Sequence, residues 1–434
     1  MHPFDHTKFL GYVCEVTPQF VRVQVPTAKL LHTFYNNGQL YYGGTVGCFV
    51  VVEGVEYGFL GKLFELNLPQ GENMDDTDFH PIAKIELLAL FNVYQPKTII
   101  KTISRYPAIG AKVYSCSDEQ IGAYISNFGI KPTDTDVPFA PIGKLTSNNA
   151  ICNISLNSLF GRHCAVLGTT GGGKSWTVAK LFELTSKFTN NKCILIDATG
   201  EYNSISDDMT SIELGTGEYI FDYKKLSIDE LYYLLHPSSK TQVPKLMDAI
   251  RSLKMSKIDN ENKLVEYYIK DTDGNPVHGN LIKAKKQKRP YEEFYYTHIT
   301  QIENNTCDFD FNLLAKQITQ ECIWDADRVN TSLWGDRNET DVANCISLIS
   351  RVNNVMSTSE YNLIFGFRKR TIPDSKDLSE EIINYINNDI KSILRLDFSK
   401  VSFDYQVREI LVNAIGKMLL TEAREGKYKE KGIY

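Results

Sequence analysis

Residues Gly168-Thr169-Thr170-Gly171-Gly172-Gly173-Lys174-Ser175 fit the spacing G-x-x-x-x-G-K-[ST], and the chemistry that spacing serves is the cradling of nucleotide phosphates. Glycines admit positive φ and let backbone N–H groups approach an anion, while a following helix adds its partial positive charge. Lys174 is then placed for the β- and γ-phosphates of ATP, and the Ser175 hydroxyl for Mg²⁺. The alternative is a Gly-rich turn that binds nothing, although Lys-Ser directly after Gly has no structural purpose in such a turn.

Carboxylates form the second group. Asp197 ends the apolar strand Cys193-Ile194-Leu195-Ile196 and is followed by Glu201; in open α/β sheets the carboxyl ends of the strands are where ligands bind. Asp197 is a candidate on the Mg²⁺ side and Glu201 a candidate for orienting water, with capping of the next turn as the alternative for Asp197. A similar pattern, Ile393-Leu394-Arg395-Leu396-Asp397, makes Asp397 a second candidate, with a strand-end Asp satisfied by turn amides as the favoured reading.

Arg162 immediately precedes the strand that leads into the loop, so a catalytic role for it means acting across a subunit interface as an arginine finger; an ordinary surface ion pair is the other reading. Trp176 follows the loop serine and is counted with the nucleotide-binding residues, either as a core packer or as part of a partner-facing surface. The dense basic run Lys283-Ala284-Lys285-Lys286-Gln287-Lys288-Arg289 reads as a solvated charge run, with phosphate neutralisation as the alternative.

The elements that must position these groups follow from periodicity. Residues 11–68 alternate apolar and polar and are punctuated by Pro26, Asn36-Asn37-Gly38 and Glu53-Gly54, which predicts short antiparallel strands in a small barrel or sandwich. Residues 1–126 form this first domain, and 127–152, rich in Pro and Gly, form a linker. From 153 to 434 strands and helices alternate, the signature of an α/β domain with a parallel sheet. His163–Leu167, Lys192–Ile196 and Ile393–Phe398 are its expected strands, and the helix after the loop places Val178, Leu181, Phe182 and Thr185 on one face. A polar, largely helical stretch over about 226–378 reads as an insertion.

Composition narrows the class. With 434 residues, 42% hydrophobic and 23% charged, the chain is globular, and its net charge of −6 provides no general attraction to nucleic acid or anionic membranes, so any DNA contact is local. Nine scattered cysteines without a Cys-x-x-Cys pair point to neither a zinc site nor a disulfide framework. The N-terminus lacks signal-peptide order and no apolar run suffices for a membrane span, so the expectation is a cytoplasmic protein with no membrane association.

The ordered set of segments resembles the HerA-like DNA translocases of the HerA/FtsK superfamily. Gly11-Tyr12-Val13-Cys14-Glu15-Val16, Gly58-Phe59-Leu60-Gly61-Lys62-Leu63 and Tyr106-Pro107-Ala108-Ile109-Gly110 are similar to its N-terminal barrel, and Ile196-Asp197-Ala198-Thr199-Gly200-Glu201-Tyr202 to its Asp-x-x-Gly-Glu-Tyr element. The resemblance implies a RecA/ASCE-like P-loop NTPase core with a helical insertion behind a small HAS-type barrel. It also implies a homo-oligomeric, typically hexameric ring that hydrolyses ATP with Mg²⁺ and pumps double-stranded DNA beside a nuclease. Relatives in bacterial antiphage defence pair instead with a sirtuin-like NADase or another effector. The alternative function is an ATP-dependent oligomeric scaffold that activates an effector without translocation. The family's next strand carries a catalytic glutamate and begins where this sequence stops, at Ile433-Tyr434, so the expectation is a natural chain that continues beyond Tyr434.

Overall fold

The structure, a computed structural model, describes residues 3–36, 39–41, 43–69, 79–127, 139–145, 150–161, 163–187, 191–368, 375–388, 390–403, 406–428 and 432–433. These fall into two compact units, 1–188 and 189–434.

The first unit is built on strands β1 (Phe9–Val16), β2 (Val21–Gln24), β3 (Phe49–Val52), β4 (Tyr57–Asn67), β5 (Ile82–Asn92) and β6 (Lys112–Ser115), paired in the order β2-β1-β6-β3-β4-β5. β5 pairs back onto β2, with Val21 opposite Ile85 and Gln24 opposite Ile82, so the six strands close into a barrel without free edges. Period-2 alternation fills the interior with Val13, Val21, Val23, Val50 and Leu63. The outward-facing Val51, Leu60 and Tyr114 are also buried, because Phe4 and helix α1 (Asp118–Ser126) cover them. Ser117 caps α1 by accepting the Gln120 N–H.

The described residues of the stretch read as a linker include regular structure. β7 (Phe139–Lys144) and β8 (Ile151–Ser155) pair as an antiparallel ribbon, while 128–138 and 146–149 lie outside the described residues. Ala140 of the ribbon, Leu156 and Leu184 form a small cluster that seats helix α2 (Lys174–Ser186). The deepest residues of α2 are therefore Leu184 and Thr185 near its C-terminal end, and Val178, Leu181 and Phe182 are only partly buried. The run 163–167, expected as a strand, has no ladder partner among the described residues, and Leu167 is 88% exposed. An apolar run becomes a strand only where a sheet edge accepts it, and the barrel has closed its own.

In the second unit β9 (Asn191–Asp197), β10 (Met209–Glu213), β11 (Ile393–Asp397) and β12 (Gly432–Ile433) form a parallel sheet in the order β10-β11-β9-β12. Ile212, Leu394 and Leu396 send one face of the sheet into the main core, where Ile410, Leu411 and Ile415 of the helix Val407–Arg424 meet them. Helices within the stretch read as an insertion, including Gln242–Ile258 and Glu339–Ser357, pack into that same core through Leu246, Ile250, Leu348 and Val352. Residues between 255 and 302 build a separate cluster around Tyr267, Tyr291 and Phe294.

Three cations of the basic run have partners within this unit, one of them in the interior. Lys283 is buried, 7% exposed, and pairs with Glu321 at 2.6 Å beneath the rings of Tyr291 and Trp334. Lys285 bridges Asp327 and Asp336, and Arg289 pairs with Glu293. Glu321 also accepts from Ser252 and from Gln317. Removing one member of a buried pair strands its partner's charge. Glu321→Leu is accordingly expected to destabilise the intact chain by about 3–5 kcal/mol, and Lys283→Met added to it to recover part of that loss, both read from urea unfolding midpoints.

Candidate nucleotide site

In the first unit, residues 168–175 run from irregular backbone into the N-terminus of α2. Gly171 (φ 76°) and Gly173 (φ 83°) both occupy the left-handed region, and a Cβ added at either would meet nothing within 4 Å. Gly173 is the N-cap residue and supplies no side-chain bond, so the first N–H groups of α2 carry no side-chain cap. The loop is closed by the Gly172 N–H donating to the Thr169 carbonyl at 3.0 Å. Lys174 folds back across it, donating from Nζ to the Thr169 carbonyl at 2.7 Å. Positive-φ glycines, a helix N-terminus without a side-chain cap and a lysine folded back over the loop are features that could hold a polyphosphate. Trp176 lies on the first turn of α2 and is 69% exposed, so it does not serve as a core packer.

In the second unit the parallel register sets Asp197 beside Asp397 and Asp397 beside Glu213 at the carboxyl ends of β9, β11 and β10. Asp197 is fully buried. Its Oδ1 accepts from the N–H groups of Gly200 at 2.9 Å and of Thr199 and Glu201 at 3.3 Å, and its Oδ2 accepts from Tyr202 N–H at 3.1 Å. These are the turn-capping contacts, and they leave Glu201 exposed on the turn they organise. Arg395 completes the arrangement, donating from Nε to Asp197 Oδ2 at 2.8 Å, from Nη2 to Asp397 Oδ2 at 2.9 Å and from Nη1 to Ser211 Oγ at 3.1 Å. Burial pushes the Asp197 carboxyl up, but the Tyr202 N–H, Arg395 and the Gly200 N–H outweigh it and hold the group below its ordinary value.

The structure thus brings 168–176 together in one unit and Asp197, Glu201 and Asp397 in the other. Arg162 lies outside the described residues. Among the described residues no cluster of three or more His, Cys, Asp or Glu side chains is arranged to hold a metal by itself. Arg395 was given no role from sequence, although a charged residue between Leu394 and Leu396 in a buried strand was the available signal.

Residues 140–419, well over half of the chain, match the family model for the central domain of helicase HerA. The chain belongs to the HerA helicase family. It is 24% identical over 235 residues to the probable helicase MJ1565 of Methanocaldococcus jannaschii, an alignment covering 53% of this chain and 43% of the relative. It is 28% identical over 170 residues to the DNA double-strand break repair helicase HerA of Saccharolobus solfataricus, covering 36% of this chain and 31% of the relative. The chain therefore spans less than half the length of these two relatives. Among the described residues no helix is long and apolar enough to cross a membrane.

A carboxyl held below its ordinary value contributes stability that is complete above the unfolded value near 3.8 and is lost as pH falls through the lower folded value. Asp197→Asn is expected to be less stable than the parent at pH 7, with the gap narrowing as the pH drops below about 4. Thermal unfolding midpoints measured from pH 3 to 7 give the comparison, and a gap independent of pH contradicts the assignment.

Proposed function

We propose that this HerA-family chain binds ATP with Mg²⁺ at 168–175 and hydrolyses it as one subunit of a homo-oligomeric, hexameric ring that translocates double-stranded DNA in the cytoplasm. The observation that carries the reading is the cradle itself: two positive-φ glycines open to solvent, then a helix N-terminus led by Lys174 and Ser175. Family membership and the similarity to two helicases support it.

In this reading the backbone of Gly168, Thr169, Thr170, Gly171, Gly172 and Gly173 holds the phosphates, and Lys174 neutralises charge on the β- and γ-groups. Ser175 would hold Mg²⁺, which when bound supplies charge neutralisation on the phosphate oxygens. Asp197 serves the metal side indirectly, since both its oxygens already accept donors, and it holds the turn that presents Glu201 for orienting water. Trp176, exposed beside the cradle, contacts nucleotide or a neighbouring subunit. Arg162 acts in trans as an arginine finger. A nuclease or another effector docked on the ring extends the same scheme. The DNA contact is not assigned to 283–289, where Lys283, Lys285 and Arg289 are paired with carboxylates of the same chain.

Lys174→Ala is expected to lower ATP turnover by at least about a hundredfold, on the scale of losing a transition-state donor, with unfolding midpoints little changed. Parent turnover should rise with duplex DNA and respond less at high salt, because phosphate contacts release counterions. Unaltered hydrolysis in Lys174→Ala overturns the assignment. Activation of a bound effector by Lys174→Ala, with no DNA response in the parent, selects the scaffold reading instead.

A further inference from the structure

We propose that Arg395 is a positioning residue for ATP hydrolysis: its buried guanidinium locks Asp197 and Asp397 together and thereby holds the 198–202 turn that presents Glu201. This rests on the reading of Glu201 given under the proposed function.

A cation in the middle of this sheet needs a reason. Ile393, Leu394 and Leu396 of β11 are fully buried, and Arg395 among them is 5% exposed. Burying a charge in a parallel sheet costs several kcal/mol unless it is paired and hydrogen-bonded. The parallel register supplies the pairing. Asp197 and Asp397 stand side by side on adjacent strands, roughly 5 Å apart by the spacing of strands, and Arg395, two residues before Asp397, shares their face. A fully buried carboxylate and a half-buried one at that separation repel, and the guanidinium between them removes the repulsion.

The geometry excludes a direct role in binding phosphate. Nε is used on Asp197, Nη2 on Asp397 and Nη1 on Ser211. The fork is committed to the protein, so Arg395 acts through Asp197. That carboxylate orders four successive N–H groups, from Thr199 to Tyr202. Gly200 takes φ 81° within this turn, and a Cβ there would stand 3.1 Å from the Ser399 Cβ. Ser399 in turn donates its N–H to Asp397 Oδ1 at 2.9 Å. Arg408 ties the same two turns from outside, donating from Nη1 to the Ala198 carbonyl and from Nε to the Val401 carbonyl, each at 2.8 Å. One planar fork therefore fixes two strand ends and the turns that leave them. A lysine, with a single compact head, cannot reproduce three divergent bonds.

The test compares the full-length chain with Arg395→Met and Arg395→Lys. Amide hydrogen exchange over 199–202 is measured without nucleotide, alongside kcat and KM for ATP and the affinity of a fluorescent ATP analogue. Arg395→Met is expected to speed exchange of those amides about tenfold or more while exchange in the barrel is unchanged. It should lower kcat by about tenfold to a hundredfold, the scale of a misplaced catalytic group, with KM and analogue affinity within about twofold. Arg395→Lys should recover part of both effects. Should Arg395→Met fail to fold, Asp397→Asn, which removes one anchor of the fork, is expected to show the same pattern more weakly. Parent-like exchange at 199–202 and parent-like kcat in a folded variant overturn the proposal, as does a fall in kcat matched by an equal loss of analogue binding. A parent chain that hydrolyses no ATP sinks the functional reading instead, and the exchange data still decide whether Arg395 holds the turn.

Discussion

A carboxylate at the end of a buried parallel strand must find cations or amides, and Asp197 finds both. Asp197 itself is fully buried and β11 pairs alongside it, so its side chain has no water to fall back on. Its two oxygens gather Arg395 and the N–H groups of the next turn. This arrangement decides where β9 ends, how the chain leaves the sheet and how Glu201 is offered to solvent. It also explains the buried arginine of β11, which would otherwise be an uncompensated charge in an apolar strand. The site edge of the second unit is therefore an electrostatic construction laid over a hydrophobic one.

The two units solve the problem of strand edges differently. The barrel closes on itself through β2 and β5, leaving no row of unpaired donors and acceptors. The parallel sheet is ordered β10-β11-β9-β12, with the two long-separated strands β9 and β11 at its centre. Nearly two hundred residues, β10 among them, intervene between those neighbours, and helices of that stretch help to bury one face of the sheet. The same helices draw in charge. Lys283 and Glu321 form a buried pair stabilised by Ser252, Gln317 and two aromatic rings, so part of what reads as a cationic strip in sequence is interior structure.

The cradle at 168–175 depends on far less. Its conformation comes from two glycines at positive φ and a helix start without a side-chain cap, all within one short segment. Little of the surrounding fold enters beyond the anchoring of α2 through Leu184.

What the sequence determined by itself is whatever depends on neighbours in the chain. The glycine-rich loop, the α2 start and the alternating barrel strands were all legible, because φ preferences and periodicity act over a few residues. The tertiary structure decided the rest. Arg395 and Asp197 are 198 residues apart in sequence, so their contact follows only from the parallel register. Lys283 was indistinguishable from its solvated neighbours until Glu321 and the aromatic rings closed around it. The apolar run 163–167 read as a strand, but hydrophobicity cannot supply a ladder partner, and pairing is a property of the fold rather than of the segment.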